Sequence, residues 1–302
     1  PPFIPPSQPA STVEGSSAVT GVMTQPLWQF ATGMTPSVYG VPGILSGAAL
    51  VFFAFIGFDV VATASEETKN PHKNVPLGIG VGMLLIIVMY MLVAVVTTGM
   101  VSYADLAKQD SPSLATAFEL VGADWAAKII SFGIVLGLAT VVMVLLLGLT
   151  RIVFAMSRDG LLPRGLSKTG KHGTPAALQI VVGAVVALVA AFFDIGVLSD
   201  MVNIGTLSAF TLVAISIPIM RKKRPDLPRA FKMPGSPWIP ILIAVANFWL
   251  MLNLSVLTWI RFVVWLVVGF AIYFGYGYWH ARLGKGDLTE TLSAETDKAV
   301  NG

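Results

Sequence analysis

The 302-residue chain has no cysteine, only three histidines, and charged residues at just 12% of its positions. The missing cysteine excludes disulfide staples, thiol nucleophiles and cysteine metal sites. His72, His172 and His280 are too scattered to give metal-ligand spacing, so no metal site is expected. No phosphate loop, dinucleotide fingerprint or serine-hydrolase elbow is present; Gly78, Gly80 and Gly82 fall in an apolar run where packing explains them. No catalytic residue, cofactor or nucleic-acid partner is expected. The shortage of charge argues against an ordinary soluble domain. With 55% apolar residues the chain reads as an all-α protein that crosses a lipid bilayer several times.

Apolar runs predict seven membrane helices, over 43–66, 76–100, 127–155, 174–193, 198–220, 237–256 and 258–280. Basic residues gather in alternate loops. Lys69 and Lys73 follow the first helix, and Arg158, Arg164, Lys168 and Lys171 the third. A run from Arg221 to Lys232 follows the fifth, and Arg282 and Lys285 follow the seventh. Loops rich in Lys and Arg stay cytoplasmic, which puts the N-terminus of the chain outside and its C-terminus inside. Residues 1–41, rich in Pro, Ser, Thr and Gly and without Lys or Arg, read as an extracellular loop. Residues 42–280 form the transmembrane domain and 281–302 a polar cytoplasmic tail. The start at Pro1, without Met or a signal-peptide pattern, is read as that of a piece of a longer protein.

Smaller features are also legible. Asp110 to Gly122 predicts a short interfacial helix with Ser111 as its cap, Pro112 at the first helical position, and Leu114, Phe118 and Val121 on one face. AMSRDGLLP reads as a helix exit, with Arg158 in the last turn, Gly160 just past the end and Pro163 as the stop. Asn253-Leu254-Ser255 spells a glycosylation acceptor, but it sits at a membrane boundary and is set aside.

The first apolar run breaks its own pattern at Phe53-Ala54-Phe55-Ile56-Gly57-Phe58-Asp59. Glycine inside a helix costs about 1 kcal/mol relative to alanine. Aspartate is a poor interior residue and a good N-cap. Together they predict two half-helices, one ending near Ala54 and Phe55, the next capped by Asp59 and running to Glu67. The first half then ends in carbonyls at the negative pole of a helix dipole. Such backbone survives in a membrane only against protein or a water-filled cavity. Carbonyls around Phe53, Ala54 and Ile56, freed by Gly57, suit an ammonium group. The competing reading is an unbroken helix in which Gly57 only admits a close neighbour, as the Gly43–Gly47 spacing also would. Asp59 has two readings as well, an N-cap or a group that helps hold a proton or cation. Glu66 and Glu67 either pair with inner basic residues or are simply solvated.

FFAFIGFDVVATASEETKNP (Phe52 to Pro71) resembles the sixth transmembrane helix of the amino acid–polyamine–organocation transporters, notably bacterial relatives of the cationic amino acid transporters. TRIVFAMSRDGLLP (Thr150 to Pro163) and the stretch from Leu198 to Pro234 resemble later family motifs in the family's order. The resemblance implies the second half of an inverted-repeat, leucine-transporter-like fold whose first helix here is the broken one. It implies secondary active transport of an amino acid across the plasma membrane, proton-coupled or by exchange. The implied partners are the amino acid, protons, the lipid bilayer and five preceding helices of the same protein. The substrate's α-ammonium would rest on the carbonyls of Phe53, Ala54 and Ile56 beside Gly57. Met143 and Leu145 would line its side-chain pocket. Leu147 and Leu149 stand where relatives often have Tyr and Gln, so no substrate preference carries over. Two other classes fit seven helices: a signalling receptor, or a transport-inactive assembly subunit.

Overall fold

The structure, a computed structural model, describes residues 21–34, 40–63, 68–109, 112–167, 175–225 and 235–281. Among the described residues all regular structure is helical, and one isolated bridge joins Pro26 to Ser255. The seven apolar runs all fold as helices near their expected bounds. The first is α2 (Gly40–Val51), extended by a 3-10 turn (Phe52–Phe55) and followed after a break by α3 (Phe58–Thr63). Then come α4 (Pro71–Met100), α7 (Asp124–Arg158), α8 (Ala176–Phe192) and α9 (Ile195–Lys223). The last two are α10 (Trp238–Leu252) and α11 (Val256–Ile272), the latter continuing through a π turn (Tyr273–Gly277) into α12 (Tyr278–His280). Among the described residues four spans, within α4, α7, α9 and Val256–His280, are long and apolar enough to cross a membrane, while the other three expected membrane helices, Gly40–Phe55, Ala176–Phe192 and Trp238–Leu252, are shorter apolar helices of 10–17 residues. In the most apolar windows of α4 and α7 no residue is buried. Helices apolar all round need lipid or further protein against them.

These helices sort into two compact units. The first holds residues up to Val141 and Gly196–Ile260. Here the stretch expected to be plain loop carries a helix, α1 (Leu27–Thr32), fastened over the α10–α11 turn. Leu27 N–H donates to the Leu254 carbonyl (3.0 Å), and Val256 and Leu257 N–H donate to the carbonyls of Gln25 (3.1 Å) and Met23 (2.8 Å). Trp28 Nε1 donates to Asn253 Oδ1 at 3.0 Å, and its ring stacks on Trp249 at 6.3 Å. Asn253 is buried and its Nδ2 donates to the Trp249 carbonyl, so it serves as a structural clamp and not as a sugar acceptor.

Two further helices lie between α4 and α7: α5 (Tyr103–Ala107) and α6 (Leu114–Leu120). In α6 the cap is Ser113, whose Oγ accepts from Thr116 N–H at 3.1 Å, and not Ser111. Pro112 therefore precedes the cap, and the helix starts two residues later than expected. Ala115 and Ala117 are its buried residues, while Val121 is exposed. Small side chains allow the close approach that the larger Leu114 and Phe118 would prevent.

The second unit holds Val142–Ile195 and the chain from Arg261 onward. The end of α7 is the expected exit. Gly160 N–H donates to the Ser157 carbonyl (3.2 Å) and Leu161 N–H to that of Met156 (2.9 Å), with Gly160 at φ +83°. That pair of bonds is a Schellman cap, which requires a left-handed residue at Gly160. Buried Ser157 donates from Oγ to the Pro163 carbonyl at 2.7 Å and closes the corner. The corner packs on the last helix, for a Cβ at Gly160 would fall against the His280 carbonyl. Glycine is thus required twice, for its φ and for its size. Gly160→Ala should destabilise the protein by about 2–5 kcal/mol, from left-handed strain plus overpacking. Gly165→Ala, whose Cβ meets nothing within 4 Å, should stay within about 1 kcal/mol. Thermal unfolding in detergent measures both; equal effects would remove the corner from the account of stability.

Candidate functional site

In the broken helix, α-helical geometry ends at Val51 and tightens to a 3-10 turn over Phe52–Phe55. Ile56 is then extended (φ −68°, ψ 137°) and Gly57 has φ +128°. Only glycine adopts that φ without strain. A Cβ on Gly57 would meet nothing within 4 Å, so the glycine is there for backbone conformation and not for a close neighbour. Gly47 also faces open space, and neither position shows the packing contact of the competing reading.

Some carbonyls expected to be free already have a donor. Phe53 O accepts from Ile56 N–H at 3.2 Å, and Gly57 O accepts from Val60 N–H at 3.2 Å. Ala54 O accepts from the Tyr90 hydroxyl at 2.9 Å. Each carbonyl oxygen has two lone pairs, so each keeps capacity for a second donor. Helix α3 begins at Phe58, which puts Asp59 at the second helical position and not at the cap. Glu66 and Glu67 lie outside the described residues.

An aromatic cluster surrounds the break. Phe210 of α9 packs on Phe52 (6.1 Å, edge to face) and on Phe58 (5.3 Å), one ring from each side of it. Phe55 meets the Tyr90 ring edge to face at 5.2 Å. Phe52, Phe55, Phe58 and Phe210 line a cavity of about 380 Å³ whose other walls include Met83 of α4 and Asn247 of α10. Among the described residues no charged side chain lines it.

Tyr90 thus reaches Ala54 and Phe55, and Phe210 reaches Phe52 and Phe58, whereas Phe53, Ala54, Ile56 and Gly57 are not among the described residues that line the cavity. Met143 and Leu145 lie on α7 in the second unit, and both are exposed. Tyr90 escaped the sequence reading, although a signal existed. It is the one residue with a polar group in the apolar run from Met83 to Val96, and a hydroxyl in such surroundings needs an acceptor.

The fold and this site define a polytopic helical membrane protein with a discontinuous helix. The family model described as amino acid permease matches residues 11–278, and the chain belongs to that family. It is 47% identical over 247 residues to the branched-chain amino acid permease BcaP of Bacillus subtilis (strain 168), covering 82% of this chain and 53% of that protein. To the methylthioribose transporter of the same organism it is 43% identical over 248 residues, with the same coverage. To the cationic amino acid transporter 3, mitochondrial, of Arabidopsis thaliana it is 45% identical over 195 residues, 64% of this chain and 31% of that protein. The chain spans about half the length of the bacterial relatives.

The Tyr90–Ala54 bond supports the broken conformation directly. Tyr90→Phe keeps the ring on Phe55 and deletes only the hydroxyl. It should cost about 0.5–1.5 kcal/mol, and Tyr90→Ala should cost more by removing the ring contact as well. Thermal unfolding of the purified variants checks the order; a Phe variant as stable as the parent would remove the bond from the break's support.

Proposed function

We propose that the protein carries a neutral amino acid with an apolar side chain across the plasma membrane as a secondary transporter, proton-coupled or by exchange. The observation that carries this reading is the break at Ile56–Gly57 in a chain of the amino acid permease family. Carbonyls of Phe53, Ala54 and Ile56 would accept from the substrate's α-ammonium, supplementing or displacing the internal donors. The aromatic cavity at the break, with no charged side chain among its described lining residues, favours an apolar over a cationic side chain. Helices outside this chain would complete the site, consistent with the uncovered apolar faces of α4 and α7. The relatives named above are a permease and transporters, which favours transport over a signalling receptor.

Identity alone does not choose the cargo, because relatives of similar identity are named for a branched-chain amino acid and for methylthioribose. The ammonium reading does choose. Purified protein expressed from its native gene should bind leucine saturably, with methylthioribose a poor competitor. Gly57→Leu puts a side chain beside the carbonyls and strains φ. Each carbonyl–ammonium bond is worth about 1.5–3 kcal/mol, so losing one or two should weaken leucine binding about 10- to 10,000-fold. Gly99→Leu, at a helical glycine of α4 with open space around it, should bind as the parent does. Leucine affinity unchanged in a monodisperse Gly57→Leu protein would remove the break from the site.

The proposed orientation puts the basic ends of helices in the cytoplasm: Lys69 and Lys73 at α4, Arg158 at α7, and Arg221 to Lys223 at α9. Lys223→Cys in this cysteine-free chain should resist an impermeant thiol reagent added outside intact cells and react after permeabilisation. Labelling from outside would invert the topology.

A further inference from the structure

We infer that a second cavity in the first unit binds a primary ammonium group carried on an apolar skeleton, apart from the break. This cavity, of about 350 Å³, lies under the strap of residues that crosses the α10–α11 turn. Its walls come from Pro26 of the strap, from Ser46, Gly47 and Leu50 of α2, from Asp200 of α9 and from the turn at Leu254. Among the described residues none lines both this cavity and the aromatic one. It also lies at the far end of α9 from the basic turn Arg221–Lys223, about 30 Å away at 1.5 Å per residue.

The chemistry of its walls is one-sided. Among the described lining residues Asp200 is the single charged one. The carboxylate is held in place, since Thr258 Oγ1 donates to Asp200 Oδ2 at 3.0 Å. Thr258 is itself wholly buried and lies 2.7 Å from Ser255 Oγ. Two further oxygens are buried without a hydrogen-bond partner among the described residues, Ser46 Oγ in the cavity wall and Asn203 Oδ1. Asn203 is wholly buried one turn along α9 from Asp200, and its Nδ2 donates to the carbonyl of Leu50, a lining residue, at 3.4 Å. Buried polar atoms left unpartnered are costly and rare, and they mark places where a partner belongs.

From the cavity wall a fixed carboxylate (Asp200) and the Ser46 hydroxyl offer acceptors. An alkylammonium head offers three donors and a positive charge. Pro26, Leu50 and Leu254 provide the apolar rim for the skeleton. A free amino acid fits less well, because its carboxylate would approach Asp200 with no cation to meet it. The volume lies within the range of small-molecule pockets and exceeds what a bare ion fills.

The test uses labelled isoamylammonium, and isocaproate as the isostere with a carboxylate in place of the ammonium. Equilibrium binding is measured on purified protein expressed from its native gene. Saturable binding of the amine and none of isocaproate is expected. Asp200→Asn should weaken amine binding at least tenfold by removing the charge from one hydrogen bond. Gly47→Leu grows into the cavity from a position where a Cβ meets nothing within 4 Å, so it folds, and it should abolish binding. Gly57→Leu should leave amine binding intact while leucine binding falls, which separates this site from the one at the break. No saturable amine binding by the parent protein would overturn the proposal. So would parental affinity in Gly47→Leu, or in a monodisperse Asp200→Asn. Amine binding lost in Gly57→Leu and kept in Gly47→Leu would place the amine at the break instead.

Discussion

Backbone hydrogen bonding among apolar surroundings is the constraint on which the rest depends. The surfaces of α4 and α7 are apolar and uncovered, so no nearby water can serve a stray N–H or C=O along them. Long unbroken helices are the cheap solution, and most of the chain uses it. The break at Ile56–Gly57 departs from that solution, and three bonds compensate it in part. Ile56 N–H turns back to Phe53 O, Val60 N–H turns back to Gly57 O, and Tyr90 supplies a hydroxyl to Ala54 O. At about 1 kcal/mol each, such bonds are of the same order as the cost of interrupting the helix. The break is therefore a stable local conformation and not a defect in a weak helix.

Features that depend on residues close together in the chain are legible in the sequence itself. The seven apolar runs, the glycine at the break and the Gly160 cap all follow from composition, propensity and φ requirements within a few positions. What escapes such reading depends on distant partners. Tyr90 reaches a carbonyl 36 residues back, and Trp28 reaches Asn253 across 225 residues. No periodicity carries that information. The capping error at α6 is of another kind. SPS offers two serines, and the structure chooses Ser113, whose Oγ reaches Thr116 N–H. At the break the glycine signal is sound, but the inference that every carbonyl there stays empty ignores the internal donors.

The two cavities divide the polar chemistry of the first unit. At the break the proposed acceptors are main-chain carbonyls, uncharged and fixed by the chain's path, and the cavity there is lined by aromatic rings. Under the strap the acceptors are side chains, including a carboxylate held by Thr258. Neutral dipoles tolerate a zwitterion whose carboxylate is served elsewhere, whereas a fixed negative charge repels it. Under the two proposals, the charge of the acceptors would sort ligands between them.

Helix α9 ties these features together mechanically. Asn203 bonds to the Leu50 carbonyl above the break, and Phe210 packs on Phe52 and Phe58 on its two sides. Residues 203 and 210 are seven apart, about two turns, so one face of α9 makes all three contacts. A splint of this kind holds the half-helices in register although no continuous helix joins them. Any motion that separates α2 from α3 must first strip Phe210 from at least one phenylalanine, losing roughly 0.5–1.5 kcal/mol beyond the area uncovered. Motion of α2, α3 and α9 as one body leaves all three contacts intact. The contacts therefore favour a rigid, already broken element over a helix that breaks only when ligand arrives.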